Sequence, residues 1–181
     1  GKNPVKDLAG NPAVGFQDFL VNNPLQQLND PHFNQQWGLL PNQFEQPGDD
    51  NLEQSGKIIS IGIDAVNAWK QSEGEDVIVA IIDTGIDISH EDLRDNIWIN
   101  QAEIPGNGID DDGNGFIDDV NGWNFTNNTC SVHDPEYAYD EWHGTHIAGI
   151  IAAVKGNEKG IAGVAPKAKI MPLQVFNSGV A

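Results

Sequence analysis

The chain has 181 residues, and 39% of them are hydrophobic, which is sufficient for one folded domain with an apolar core. Its 27 acidic and 9 basic residues give a formal net charge of −18, which disfavours nucleic acid and anionic lipid as partners. No apolar run approaches the roughly 20 residues that cross a bilayer, so we expect no membrane span.

The first 56 residues predict loops and loosely packed arms, because Asn, Gln, Pro and Gly interrupt their apolar patterning. We interpret residues 1–28 as a loosely structured arm or the remnant of a propeptide. Four apolar side chains can then dock the following segment onto a core, and IGIDAVNAWK at 61–70 predicts a short helix. The docking side chains are Phe33, Trp37, Leu39 and Leu40. We expect the folded domain to span residues 29–181.

Three consecutive elements indicate an α/β crossover unit. Residues 77–83, VIVAIID, form a β-branched run that is typical of a strand buried on both faces of a parallel sheet. Residues 143–154, HGTHIAGIIAAV, hold small side chains that favour a helix buried on all sides. A second apolar run at 168–176, AKIMPLQVF, completes a strand, helix, strand order. Functional side chains are therefore expected where the strands end.

Asp83 and His143 are the candidate catalytic residues. A histidine whose tautomer is fixed by a carboxylate can accept a hydroxyl proton near neutral pH, which is the task of the general base in an acyl-transfer protease. Asp83 stands at the end of the first strand, and His143 is predicted to begin the helix, so both converge at one edge of the sheet. Gly85 and Gly144 keep the adjoining backbone free of side chains.

Residues 108–119, GIDDDGNGFIDD, predict a calcium site. Oxygen-bearing side chains alternate as in the first part of an EF-hand loop, with Gly115 at the turn. Position twelve of such a loop is Asn121 rather than Glu, so Asp119 is expected to complete the ligand shell. A solvated acidic turn is the alternative. The candidate ligands are Asp110, Asp112, Asn114, Phe116, Asp118 and Asp119.

A transition-metal cluster is the competing, metalloenzyme interpretation. His143 and His146 are three residues apart and can share a helix face. The sequence has no HExxH motif, and such a cluster leaves the phrase DTGID unexplained, which favours the protease interpretation. The candidate ligands of the cluster are His133, Asp134, Asp140, Glu141, His143 and His146.

The sequence resembles the subtilases, the subtilisin-like serine proteases, over nearly all of residues 29–181. DTGIDISHEDL at 83–93 resembles the aspartate motif of the family, and HGTHIAG at 143–149 resembles its histidine motif. The resemblance implies a three-layer α/β fold with a mostly parallel sheet, incomplete in this chain. It also implies that Asp83 orients His143, which acts as general base and then general acid, whereas Asp87 and His146 are structural.

The same resemblance implies two further binding sites. One is a second calcium site, to which Val154, Lys159 and Ile161 contribute backbone carbonyls. The other is the start of an edge strand that pairs with a polypeptide substrate, at Ser178 and Gly179. The implied ligands of the second calcium site are Asp30, Asp92, Val154, Asn157, Lys159 and Ile161.

The serine of the family has no counterpart here, because no serine in the chain lies in a GTSMA or GxSxG phrase. We expect a secreted, calcium-stabilised serine endopeptidase whose nucleophile lies outside this chain, for example on a complementary C-terminal chain. A noncatalytic calcium-binding or peptide-binding remnant is the alternative. Loss of burial partners for Ile78, Val79, Ile81 and Ile170 is expected to leave the isolated chain poorly stable.

Overall fold

The computed structural model describes residues 28–41, 43–44, 58–133 and 138–176. Its strands are β1 (Gln43–Phe44), β2 (Ile58–Ser60), β3 (Ile78–Asp83), β4 (Trp123–Asn124) and β5 (Lys169–Gln174). Its α-helices are α1 (Ala65–Ala68) and α2 (Ala138–Ala152). Short 3₁₀ helices occupy Phe33–Gln35, Trp37–Leu39 and Arg94–Asn96.

The main sheet has three strands in the order β3, β5, β4, and all neighbours run parallel. Ile78 pairs with Lys169 and Asp83 pairs with Gln174, so β3 and β5 stay in register along their whole length. In the chain, α2 lies between these two strands. The parallel pair therefore confirms the predicted strand, helix, strand crossover.

One apolar cluster lies between α2 and the sheet. Ala148 and Ala152 of α2 pack with Ile81 of β3 and Ile170 of β5, and each of the four is at most 6% exposed. The small side chains of the helix let its backbone approach the branched side chains of the strands. This packing holds the helix that carries His143 over the end of β3.

A second cluster docks the segment before α1. Phe33 and Leu39 pack with Val66, Trp69 and Ala162, and Leu40 packs against this cluster, as predicted. Trp37 is 61% exposed, so its predicted docking role is wrong. The helix expected within 61–70 is present, although it is limited to Ala65–Ala68. The N-terminal segment is thereby fixed against the loop that follows α2.

The prediction that β3 is buried on both faces is wrong for the described residues. Ile81 is 6% exposed, whereas Ile78 and Ile82 are 53% and 63% exposed. Successive strand residues point to opposite faces, and α2 covers the face that carries Ile81. The described part of the chain therefore provides two of the three predicted layers.

Helix α2 also differs from its prediction. It begins at Ala138, upstream of His143, so His143 lies inside the helix instead of at its start. It is buried on one side only, because Ala148 is 0% exposed while Trp142 and Ile150 are 61% and 50% exposed. Within the described ranges, no helix combines the length and apolar character that crossing a membrane requires.

Candidate active site and cation-binding loops

Asp83 is the last residue of β3, and His143 reaches it from α2. His143 Nδ1 lies 2.8 Å from Asp83 Oδ1 and 3.0 Å from Asp83 Oδ2. The structure thus brings together the two residues that the sequence predicts to converge. Because Nδ1 faces the carboxylate and the His143 side chain is 59% exposed, Nε2 is left for a different partner.

Asp83 is held in its ionised form by several donors. The backbone N–H and the hydroxyl of Thr84 donate to Asp83 Oδ1 at 2.7 and 3.0 Å. Burial raises the pKa of Asp83, but hydrogen bonds from His143 and Thr84 outweigh burial and hold this pKa below its ordinary value. An ionised carboxylate at Nδ1 favours the tautomer in which Nε2 can accept a proton. Sequence reasoning missed the contribution of Thr84, although it stands in the DTG phrase.

Two glycines let α2 approach the end of β3. A Cβ atom at Gly144 would lie 2.2 Å from the carbonyl oxygen of Gly85 and 3.2 Å from Asp83 Oδ1. Gly85 has a φ of +113°, and a Cβ atom there would lie 2.8 Å from the carbonyl oxygen of Val132. The close approach confirms the expectation that both positions need a backbone without a side chain.

Asp87 ties the loop after β3 to the helix. Its backbone N–H donates to Thr145 Oγ1 at 2.9 Å, and its carboxylate Oδ1 accepts the N–H and the hydroxyl of Ser89 at 2.9 and 2.6 Å. Burial raises the pKa of Asp87, but the Ser89 hydrogen bonds hold it below its ordinary value. These contacts support the structural role expected for Asp87.

A cleft of about 410 Å³ is lined by one side of α2. Trp142, His146 and Gly149 line it from the helix, and residues of the loop after β3, such as Leu93, line the facing wall. The Trp142 ring stands edge-on to the His143 ring, with centroids 6.5 Å apart and an interplanar angle of 81°. An exposed apolar surface therefore adjoins the candidate catalytic imidazole.

In the part of the chain that the structure describes, one group of three carboxylates could hold a metal ion. Its members are Glu103, Asp112 and Asp119, whose ligand atoms lie within 4.8 Å of one another. Asn100 donates to Asp112 Oδ2 and Asp119 Oδ1 at 3.0 and 2.9 Å, and the Asn114 side-chain amide also donates to both residues. Sequence reasoning missed Asn100 and Glu103, because both precede the acidic run. The signal that could have identified Glu103 is its carboxylate, which stands shortly before the acidic run.

The remaining residues predicted for this loop have other partners. Asp110 accepts the backbone N–H groups of residues 113–115, and these hydrogen bonds hold its pKa below the ordinary value. Asp118 accepts the N–H groups of residues 107 and 108. Phe116 packs its ring against Trp123. These side chains shape the loop and lie outside the group of three carboxylates.

The residues implied for a second calcium site surround two deeply buried carboxylates. Asp30 is 4% exposed and Asp92 is 2% exposed. Asp30 accepts the N–H groups of Gly156 and Asn157, while Asp92 accepts the Asn157 side-chain amide at 2.8 Å and the Ile161 N–H at 2.9 Å. A buried carboxylate needs such partners to offset the loss of hydration. The loop after α2 therefore encloses both acids.

Val154 and Lys159 take part in the same enclosure through their backbones. The N–H of Val154 donates to the Asp92 carbonyl oxygen at 2.9 Å, and the N–H of Lys159 donates to Asn157 Oδ1 at 2.9 Å. The structure thus places all six implied residues in one region. Their predicted carbonyl ligation stays a prediction.

The alternative transition-metal cluster receives no support from the described residues. The only group of His, Cys, Asp and Glu ligand atoms found there within mutual reach is the carboxylate group of the acidic loop. His143 is engaged by Asp83, whereas His133 and His146 line the cleft. The side chains of the other three candidates, Asp134, Asp140 and Glu141, lie outside the described residues.

The predicted substrate edge at Ser178 and Gly179 also lies outside the described residues. Strand β5 ends just before it, at Gln174. Its role therefore stays a prediction.

Comparison with known sequences identifies relatives of this chain. The model of the Subtilase family matches residues 74–180. Subtilisin-like protease 1 of Plasmodium vivax is 38% identical over 146 residues, which cover 80% of this chain and 20% of that protein. The extracellular basic protease of Dichelobacter nodosus is 34% identical over 176 residues, which cover 93% of this chain and 26% of that protein. The chain thus spans about a fifth to a quarter of these relatives.

A solved structure shows the same fold. The serine protease of Aeromonas sobria, crystallised in complex with a chaperone, aligns with a TM-score of 0.51 and 26% identity. The alignment covers 83% of this chain and 21% of that protease. The chain therefore has a partial subtilisin-like α/β fold, as the sequence predicts.

Proposed function

The chain belongs to the subtilase family, and we propose that it supplies the aspartate and the histidine of a serine endopeptidase active site. The observation that carries the proposal is the 2.8 Å contact between His143 Nδ1 and Asp83 Oδ1 at the end of a parallel strand. No serine of the 181 residues lies in a nucleophile phrase, so the proposal assigns the nucleophile to polypeptide outside them. Residues 29–181 then form the N-terminal portion of the peptidase domain.

In the proposed mechanism, His143 transfers one proton in each half of the reaction. Nε2 accepts the hydroxyl proton as the serine oxygen attacks the carbonyl carbon of the peptide bond, and the ionised Asp83 stabilises the imidazolium. The imidazolium then donates that proton to the leaving amine nitrogen, the C–N bond breaks, and an acyl–serine ester remains. Nε2 next deprotonates the water that attacks this ester and returns the proton to the serine oxygen, which releases the acid.

We infer that the acidic loop binds calcium through Glu103, Asp112 and Asp119. Calcium prefers oxygen ligands, and three carboxylates with ligand atoms within 4.8 Å repel one another unless a cation neutralises them. Bound calcium would supply charge neutralisation and would fix the loop before β4. Asn100 and Asn114 hold two of the carboxylates in place.

Asp30, Asp92 and the loop after α2 are proposed as the second calcium site. Two carboxylates that are 4% and 2% exposed, wrapped by one loop, offer the oxygen donors that calcium prefers. Their hydrogen bonds with Asn157 show that the enclosing loop is already shaped around them. Bound calcium would join the N-terminal segment to the end of the helix that carries His143.

A secreted setting is proposed for the same protein. One relative is named an extracellular protease. The net charge of −18 suits a soluble acidic surface, and calcium is abundant outside cells. A polypeptide is the proposed substrate.

A fluorophosphonate probe, which labels an activated serine, tests the protease proposal on the full polypeptide in calcium buffer. The wild type is expected to be labelled, whereas His143→Ala loses labelling because the general base is absent. His32→Ala is the matched control, since His32 is a histidine of the N-terminal segment that contacts Gln35 and lies outside the candidate site, so it is expected to retain labelling. Label on a second polypeptide would identify a complementary chain that carries the serine. No label on the wild type would refute the proposal and favour the noncatalytic alternative.

A further inference from the structure

We propose that Trp142 contacts the substrate and sets a preference for a large apolar side chain next to the scissile peptide bond. The proposal rests on the proposed protease function, because it places the indole beside the catalytic base. It assigns a specificity-determining role to a residue that neither the aspartate motif nor the histidine motif contains.

The indole contacts two imidazoles while most of its surface stays exposed. The Trp142 ring stands edge-on to two imidazoles, with centroids 6.5 Å from that of His143 and 6.3 Å from that of His146. Edge-to-face contacts of this kind stabilise aromatic pairs. Trp142 nevertheless keeps 61% of its surface exposed. The helix therefore presents an apolar surface beside the candidate catalytic imidazole.

Substrate geometry brings peptide side chains to that face. A scissile carbonyl carbon must approach the serine oxygen to about 3 Å, and that oxygen must lie within hydrogen-bond reach of His143 Nε2. Residues that flank the bond then pass close to the imidazole. The indole centroid is 6.5 Å from the imidazole centroid, so we expect a large flanking side chain to cover more of the indole than an alanine side chain does.

The cleft extends the apolar surface beyond the indole. Trp142 lines the cleft of about 410 Å³ together with Leu93, Ala153 and Ile161. A flanking Phe or Leu side chain can cover the indole and turn toward this wall. Burial of that apolar surface favours such substrates, because water is removed from both partners.

The experiment measures kcat/KM of the full-length enzyme for peptides in which Ala, Leu or Phe flanks the cleaved bond on either side. The wild type is expected to prefer Phe and Leu over Ala. Trp142→Ala is expected to reduce the Phe to Ala ratio about 3- to 10-fold, and Trp142→Phe to retain most of it. Trp37→Ala is the matched control, because Trp37 is also 61% exposed but lies in the N-terminal 3₁₀ helix.

The outcomes separate this inference from the proposed function. A wild type that cleaves no peptide refutes the protease function and this inference with it. An active wild type whose Phe to Ala ratio is unchanged by Trp142→Ala refutes only the inference, even if the variant melts at a lower temperature, since the indole is then a packing residue. An equal loss of kcat/KM on all peptides also refutes it, because a specificity contact discriminates among side chains.

Discussion

Substitution of Gly144 by alanine tests whether the close approach of α2 to β3 creates the catalytic geometry. The new Cβ atom would lie 2.2 Å from the carbonyl oxygen of Gly85, which real Cβ atoms essentially never do. Opening this contact to an acceptable distance requires a shift of about 1 Å, and a misplacement of that size can reduce catalysis about 100-fold. Gly85 cannot easily yield, because its φ of +113° and the carbonyl of Val132 already confine it.

Gly149→Ala is the matched control on the same helix. A Cβ atom there meets the Ile161 side chain at 3.7 Å, an ordinary contact. In the full-length enzyme, Gly144→Ala is expected to reduce kcat/KM about 100-fold and to lower the free energy of unfolding by about 1–3 kcal/mol. Gly149→Ala is expected to retain activity and to gain about 0.5–1 kcal/mol from lower chain entropy in the unfolded state. Peptide hydrolysis and urea denaturation measure both quantities. If Gly144→Ala retains wild-type kcat/KM, the close approach does not set the catalytic geometry.

The remaining predictions concern acid, calcium and the isolated chain. The folded pKa of Asp83 is depressed, so its stabilisation is present above the unfolded carboxyl pKa of about 3.9 and is lost as pH falls through the folded value. As pH is lowered from 5 to 2, the melting temperature should therefore fall less steeply for Asp83→Asn than for the wild type. Calcium at 100 times its dissociation constant for the acidic loop should raise the free energy of unfolding by about 2.7 kcal/mol. This stabilisation by calcium should be smaller in Asp112→Asn. It should be unchanged in the control Asp95→Asn, whose side chain is 74% exposed. The isolated 181-residue chain should melt without cooperativity, because Ile82 is 63% exposed on an uncovered sheet face; a cooperative, near-native melt would contradict this.

Strands β3 and β5 and the candidate catalytic pair are predictable because the signal is local, whereas the short strands β1, β2 and β4 carry no such apolar run. The β-branched run before Asp83 and the apolar run of β5 favour extended backbone, and parallel strands bring their ends to one edge. The burial of β3 was not predictable, because it depends on which elements cover each face. Ile81 lies under α2 while Ile82 does not, although both belong to the same apolar run.

The acidic loop shows a different limit of sequence-based prediction, which concerns the identity of the ligands. Alternating aspartates identified the loop, but the choice of ligands depends on how the loop folds back on the chain before it. Backbone N–H groups draw Asp110 into the turn, while Glu103 enters the carboxylate group from outside the run. The ligand spacing of an EF-hand cannot predict this choice of ligands. In an EF-hand, flanking helices hold the loop, and the described residues place no such helices beside this loop.

The loop between β3 and the 3₁₀ helix at Arg94–Asn96 links the candidate catalytic pair to the second proposed calcium site. Near its start, the Asp87 N–H is bound by Thr145 in the same helix as His143, and near its end the Asp92 carbonyl is bound by the Val154 N–H just past that helix. Because hydrogen bonds tie this loop to α2 near one end and to Val154 near the other, we expect a shift of Asp92 to move the first turn, which packs Gly85 against Gly144. Calcium at Asp92 would therefore stabilise the contact between Asp83 and His143 without touching either residue. The buried carboxylates of Asp30 and Asp92 would thereby anchor that loop from outside the candidate catalytic pair.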